Sequence, residues 1–144
     1  MAEDTMPRST PDTSITLTSL PDSPLRVRTS PRSEAVEDFF ASLTWASLPG
    51  FAEAVAAQRG MGFELAGFRY DDDLEAGETP FSGVCFEHRY AEDRATLSRR
   101  DVDVWMARWL EDVLQYIQEE PALLSPAQVE RLRASCRRIQ ARAG

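Results

Sequence analysis

At 144 residues the chain is long enough for one domain with its own hydrophobic core and too short for two such domains. A formal charge of −8 and a pI near 4.7 argue against direct nucleic-acid binding and against an anionic membrane, since both need a positive field; a basic protein partner suits that charge. No window approaches the roughly 20 apolar residues of a membrane helix, and the start lacks the basic-then-apolar order of a secretory signal, which predicts a cytoplasmic protein. Cys85 and Cys136 form no CxxC pair and read as packing residues, and all sixteen basic side chains are arginine.

Half of residues 1–32 are Ser, Thr or Pro, five, six and five respectively, which reads as a low-complexity segment separate from a single domain over 33–144. Two states fit it: a flexible tail, or a marginal hairpin in which Ile15 and Leu17, then Leu25 and Val27, alternate on either side of a turn at 21–24. From Ser33, a candidate cap, Val36, Phe39, Phe40 and Leu43 follow helical spacing. A second short helix is expected over 50–59, ended by Gly60 in the left-handed conformation. Residues 62–70 and 83–90 read as aromatic-rich strands, and 94–97 as a short antiparallel return. Ser98-Arg99-Arg100-Asp101 signals the start of a long helix whose apolar stripe includes Trp105, Trp109, Val113 and Ile117 and which Pro121 ends. Ser125-Pro126-Ala127-Gln128 opens the last helix. The expected fold is α+β: a small antiparallel sheet of about three strands packed against four helices.

Carboxylates concentrate in the middle of the chain. Residues 64–103 carry eleven acids against five arginines, whereas residues 127–144 carry five arginines against Glu130 alone, a dipolar arrangement. The run Asp71, Asp72, Asp73, Glu75 and Glu78 fails the calcium-loop template, because Ala76 stands at its glycine position and Ser82 at its final glutamate, so neither a metal nor a cofactor is expected. Glu87, His88 and Arg89 are the residue types of a small nuclease, but consecutive strand residues point to opposite faces and would not converge. No catalytic residue is assigned, and the chain reads as a binding protein rather than an enzyme. Trp105 and Trp109 fall on the apolar stripe and read as core, while Trp45 follows no clear pattern.

The order Phe81-Ser82-Gly83-Val84-Cys85-Phe86, an acidic turn, Thr96-Leu97-Ser98 and the helix from Arg99 through Ile117 to Glu120-Pro121 resembles the ribonuclease-toxin immunity proteins of bacterial contact-dependent growth inhibition and related polymorphic toxin systems. Those proteins show a "GV-x-F" strand, a return strand ending in "VS", an acidic helix start and a long aromatic-containing helix. The resemblance spans about residues 50–140; Arg99 and Arg100 depart from the acidic start, and the Ser/Thr/Pro-rich beginning has no counterpart. It implies an immunity protein that neutralises a cognate toxin domain in the producing cell by one-to-one binding. Carboxylates would face the basic groove of a nuclease, with Asp71, Asp72, Asp73, Glu75, Glu78, Glu87, Glu92 and Asp93 as the contact residues. The alternative is a small acidic secretion chaperone that dimerises through an apolar face, whereas an inhibitor would be a monomer or weak dimer when free.

Overall fold

The computed structural model describes residues 14–74, 76–77, 80–88 and 94–144. In chain order the elements are β1 (Thr16–Leu20), β2 (Ser23–Ser30), α1 (Glu34–Ala41), α2 (Leu48–Ala56), β3 (Met61–Gly62), β4 (Ala66–Tyr70), β5 (Val84–His88), β6 (Arg94–Leu97), α3 (Arg99–Glu119) and α4 (Pro126–Ala143). The fold is α+β with four helices, as the hydrophobic periodicity predicts. Three helix starts sit where the sequence places them: Ser33, Ser98 and Ser125 accept from the backbone N–H groups of Val36, Asp101 and Gln128, and Gln128 completes a capping box.

β3 to β6 form an antiparallel meander in sequence order. It has a fourth strand because residues 62–70 are not one strand. The chain turns back at 63–65 and Met61 pairs with Phe68. Gly67 permits that approach, since a Cβ there would lie 3.1 Å from the Met61 carbonyl oxygen. α1 covers one sheet face, and Phe39 on it meets Phe51, Phe68 and Phe86 with ring centroids 5.1, 5.1 and 5.8 Å away, largely edge-on or tilted. α2, α3 and α4 pack on one another to complete the core.

α2 runs two residues earlier than expected at its start and ends at Ala56. Its stop is not Gly60. Gln58 takes the left-handed conformation, with φ 55°, while the Gln58 and Arg59 amides donate to the Val55 and Ala54 carbonyls in a Schellman arrangement. Gly60 is required for a different reason: a Cβ there would stand 2.6 Å from the Phe68 carbonyl oxygen.

The largest departure concerns the start of the chain. Residues 1–13 lie outside the described residues; from residue 14 onward the hairpin, one of the two expected states, is what forms, and it is an integral layer rather than a flexible tail or a marginal pair. β1 and β2 form an antiparallel hairpin that packs on α1 and α3 and buries Ile15, Leu25 and Val27 in the common core. Position 32 is therefore not a boundary of the packed unit. The anchors are distant in sequence: Trp105 and Trp109 donate their indole N–H groups to the carbonyls of Ile15 at 2.7 Å and Pro24 at 2.8 Å. A Ser/Thr-rich composition says nothing of such tertiary bonds.

Candidate functional site

Asp71 directly follows β4, and its side chain is turned to internal partners. One carboxylate oxygen accepts the Gly83 N–H at 2.7 Å and the other accepts from Arg99 at 2.5 Å, which ties the β4–β5 connection to the first turn of α3. Gly83 fits only as glycine, having φ +96° and space for no Cβ, which would sit 2.1 Å from the Leu97 carbonyl oxygen. Asp72 lies 3.3 Å from the same guanidinium but is 68 % exposed, and Asp73 accepts the Gly60 N–H at 3.3 Å. Glu75, Glu78, Glu92 and Asp93 lie outside the described residues. Arg99, which departs from the resembled pattern, is the hub: it also donates to the Gln58 side chain at 2.9 Å and stacks over the Tyr70 ring, 5.0 Å from its centroid.

These partners separate the aspartates by role. Asp71→Ala strands a half-buried N–H and a guanidinium, so urea denaturation should show a loss of about 2 kcal/mol. Asp72→Ala removes an exposed ion pair and should change stability by less than about 0.5 kcal/mol. Reversing all three aspartates would accordingly damage the fold as well as any interface.

Glu87 stands apart from this loop, on the sheet face turned away from α1. It pairs with Arg69 at 2.6 Å and lies 4.0 Å from Arg94 on the flanking strands, the cross-strand contact that the register Gly67↔Glu87↔Arg94 allows. Arg94 also donates to the Cys85 sulfur at 3.2 Å. His88 points to the opposite face, 3.6 Å from Asp38 of α1, so Glu87 and His88 do not converge; Arg89 is outside the described residues. Among the described residues no group of three or more His, Cys, Asp or Glu could hold a metal ion.

Beneath the loop is a polar cluster inside the core. Asp103 is 4 % exposed and receives two parallel bonds from Arg142 of α4, at 2.8 and 2.9 Å. Arg142 also donates to the Ala56 and Val55 carbonyls, satisfying the end of α2. Tyr70 is buried nearby, its hydroxyl without a hydrogen-bond partner among the described residues, and burial followed by the Asp103 charge pushes its pKa up. Burial likewise raises the thiols of Cys85 and Cys136. All three groups are charged when deprotonated, so the unfolded chain releases these protons first as pH rises. The stability they contribute is complete below the ordinary thiol and phenol values, about 8.5 and about 10, and is lost above them. Urea midpoints should fall progressively from about pH 9 upward; a flat alkaline limb would contradict this burial.

Pairing also redraws the charge map. Of the five arginines on α4, Arg131 pairs with Glu53, Arg137 with Glu130 and Arg142 with Asp103, which weakens the basic pole. Glu111, Asp112 and Glu119 on α3 and Glu120 at its C-cap are exposed, and none forms an ion pair with a described residue. These free carboxylates lie beyond the acidic window that the sequence marks out. No family model, no curated protein and no solved structure matches the chain. Its function is therefore legible only from its own surface. No helix among the described residues is long and apolar enough to cross a membrane.

Proposed function

We propose that the chain is an immunity protein: in the cytoplasm it binds a cognate toxin domain, a nuclease with a basic substrate surface, one to one and neutralises it. The supporting observation is the set of exposed carboxylates Glu111, Asp112 and Glu119 on α3 and Glu120 at its C-cap, none in an ion pair with a described residue. A nuclease must present cations to phosphate, and carboxylates held on a rigid helix attract that surface and accelerate encounter. Asp72 and Asp73, exposed at the loop, add to the same field, while Asp71 and Glu87 act mainly inside the molecule. A chaperone dimerising through an apolar face is less well supported, because Leu65 is the one large hydrophobic side chain left exposed among the described residues.

Affinity capture from the native host, followed by light scattering and a nuclease assay, tests the reading. The expected result is a one-to-one complex with a basic protein whose cleavage of nucleic acid stops at one equivalent and whose association slows as salt rises. A partner without a basic surface, or one that keeps its activity in the complex, would refute it. A stable dimer of the free chain that carries its partner unaltered would favour the chaperone.

A further inference from the structure

Among the described residues β1 has a strand neighbour on one side only. It pairs with β2, and on its other side lies a trough of about 460 Å³ between the strand and α3. The lining shows how the strand meets it. A trough against a strand's face would touch alternate residues, whereas this one touches the consecutive residues 14 to 19, so the edge of β1 opens into it. In an antiparallel pair every second residue turns its N–H and C=O away from the partner strand; just before β1 the Ile15 carbonyl is taken by the Trp105 indole, and the trough runs along the strand beyond it. Natural edge strands are usually blunted by charge, proline or a covering element. Thr16-Leu17-Thr18-Ser19-Leu20 has no charged residue and no proline.

The opposite wall is one stripe of α3: Asp101, Val104, Trp105, Arg108, Trp109 and Asp112. Val104, Trp105 and Trp109 make an apolar floor. Asp101 and Asp112 stand about three turns apart, roughly 16 Å, which is close to the length of a five-residue strand. Ser14 donates to Asp101 at 3.4 Å, which fixes the start of the strand at the Asp101 end. Ser19 contributes a hydroxyl that is itself buried and has no hydrogen-bond partner among the described residues.

We propose that the trough is a strand-docking site, in which an extended, basic segment of the partner protein pairs with the free edge of β1 and sets its cationic side chains against Asp101 and Asp112. Main-chain bonds to β1 supply affinity, and the two carboxylates select charge and register. A second copy of this chain fits less well, since it would bring another molecule of charge −8 and an uncharged strand to a wall that carries two carboxylates, Asp101 and Asp112, against the one guanidinium of Arg108. The inference rests on the reading of the partner as a basic protein and adds where that partner sits.

The test uses the full chain and a synthetic peptide alternating arginine with valine and threonine, beside a twin with glutamate in place of arginine. Amide exchange followed by NMR should show alternate β1 amides slowed by the basic peptide and unaffected by the acidic twin. Asp112→Arg, at an exposed position without an ion pair among the described residues, should leave the fold unchanged and weaken the basic peptide roughly tenfold. Three results would overturn the proposal: no binding of the basic peptide to folded protein at millimolar concentration, binding that leaves β1 amides unprotected, or β1 protection that grows with protein concentration alone, which would assign the edge to a second copy. The two readings fail separately. A captured toxin inhibited equally by the Asp112→Arg variant, with β1 amides exchanging freely, would remove the trough and keep the immunity function; peptide pairing on β1 without any nuclease partner would do the reverse.

Discussion

Asp103→Ala should lower the free energy of unfolding by about 3–5 kcal/mol, the usual cost of deleting one partner of a buried ion pair. The carboxylate is 4 % exposed and bidentate with Arg142, whose remaining donors close the carbonyl end of α2. Without Asp103, a half-buried guanidinium loses its counter-charge while still being held between three helices. Asp103→Asn keeps the volume and one acceptor and should cost less. Replacing Arg142 alone should be comparably damaging, because it leaves Asp103 charged in the core and the Val55 and Ala56 carbonyls without their donor. A double variant with apolar residues of similar size should recover part of the loss, a non-additivity that chemical denaturation can measure. Additive single effects would mean that the pair does not act as a unit.

How much of this was legible beforehand depends on the range of each interaction. Ser33, Ser98 and Ser125 cap their helices through bonds three residues long, and the sequence places all three. Val84, Phe86 and His88 share a strand face because the alternation is local, and β6 occupies the predicted residues 94–97 for the same reason. The acidic loop is different. A count of carboxylates contains no information about Arg99, which sits 28 positions from Asp71 and converts that residue into an internal strut. The exposed carboxylates along α3 were within reach of the sequence, since Glu111 and Asp112 fall between the apolar positions Leu110 and Val113 of a recognised helix and Glu119 and Glu120 follow Ile117 at its end. They were overlooked because the acidic window closed at residue 103, where charge is densest rather than most exposed. The buried Asp103 inside that window shows that charge density and surface are separate properties.

Trp109→Ala carries the second large effect, and it links the core to the proposed docking edge. The indole packs edge-on against Phe40 and Phe51, with centroids 5.0 and 5.9 Å away, and its N–H reaches the Pro24 carbonyl across 85 positions of sequence. Truncation should cost about 3–5 kcal/mol through the cavity and the stranded carbonyl. Trp109→Phe retains most of the packing and loses the N–H donor, so it should cost about 1–2 kcal/mol. The two variants should differ from a generic core defect in where they act. Amides of the β1–β2 hairpin should exchange faster relative to those of the meander β3 to β6, because Trp105 and Trp109 are the side chains of α3 that bond the hairpin's backbone. Uniform loosening of both sheets would place Trp109 as filler alone. Selective loosening of the hairpin would make the indole N–H the element that ties β2, and through it the paired β1, to α3, and with it the geometry on which a docked strand depends.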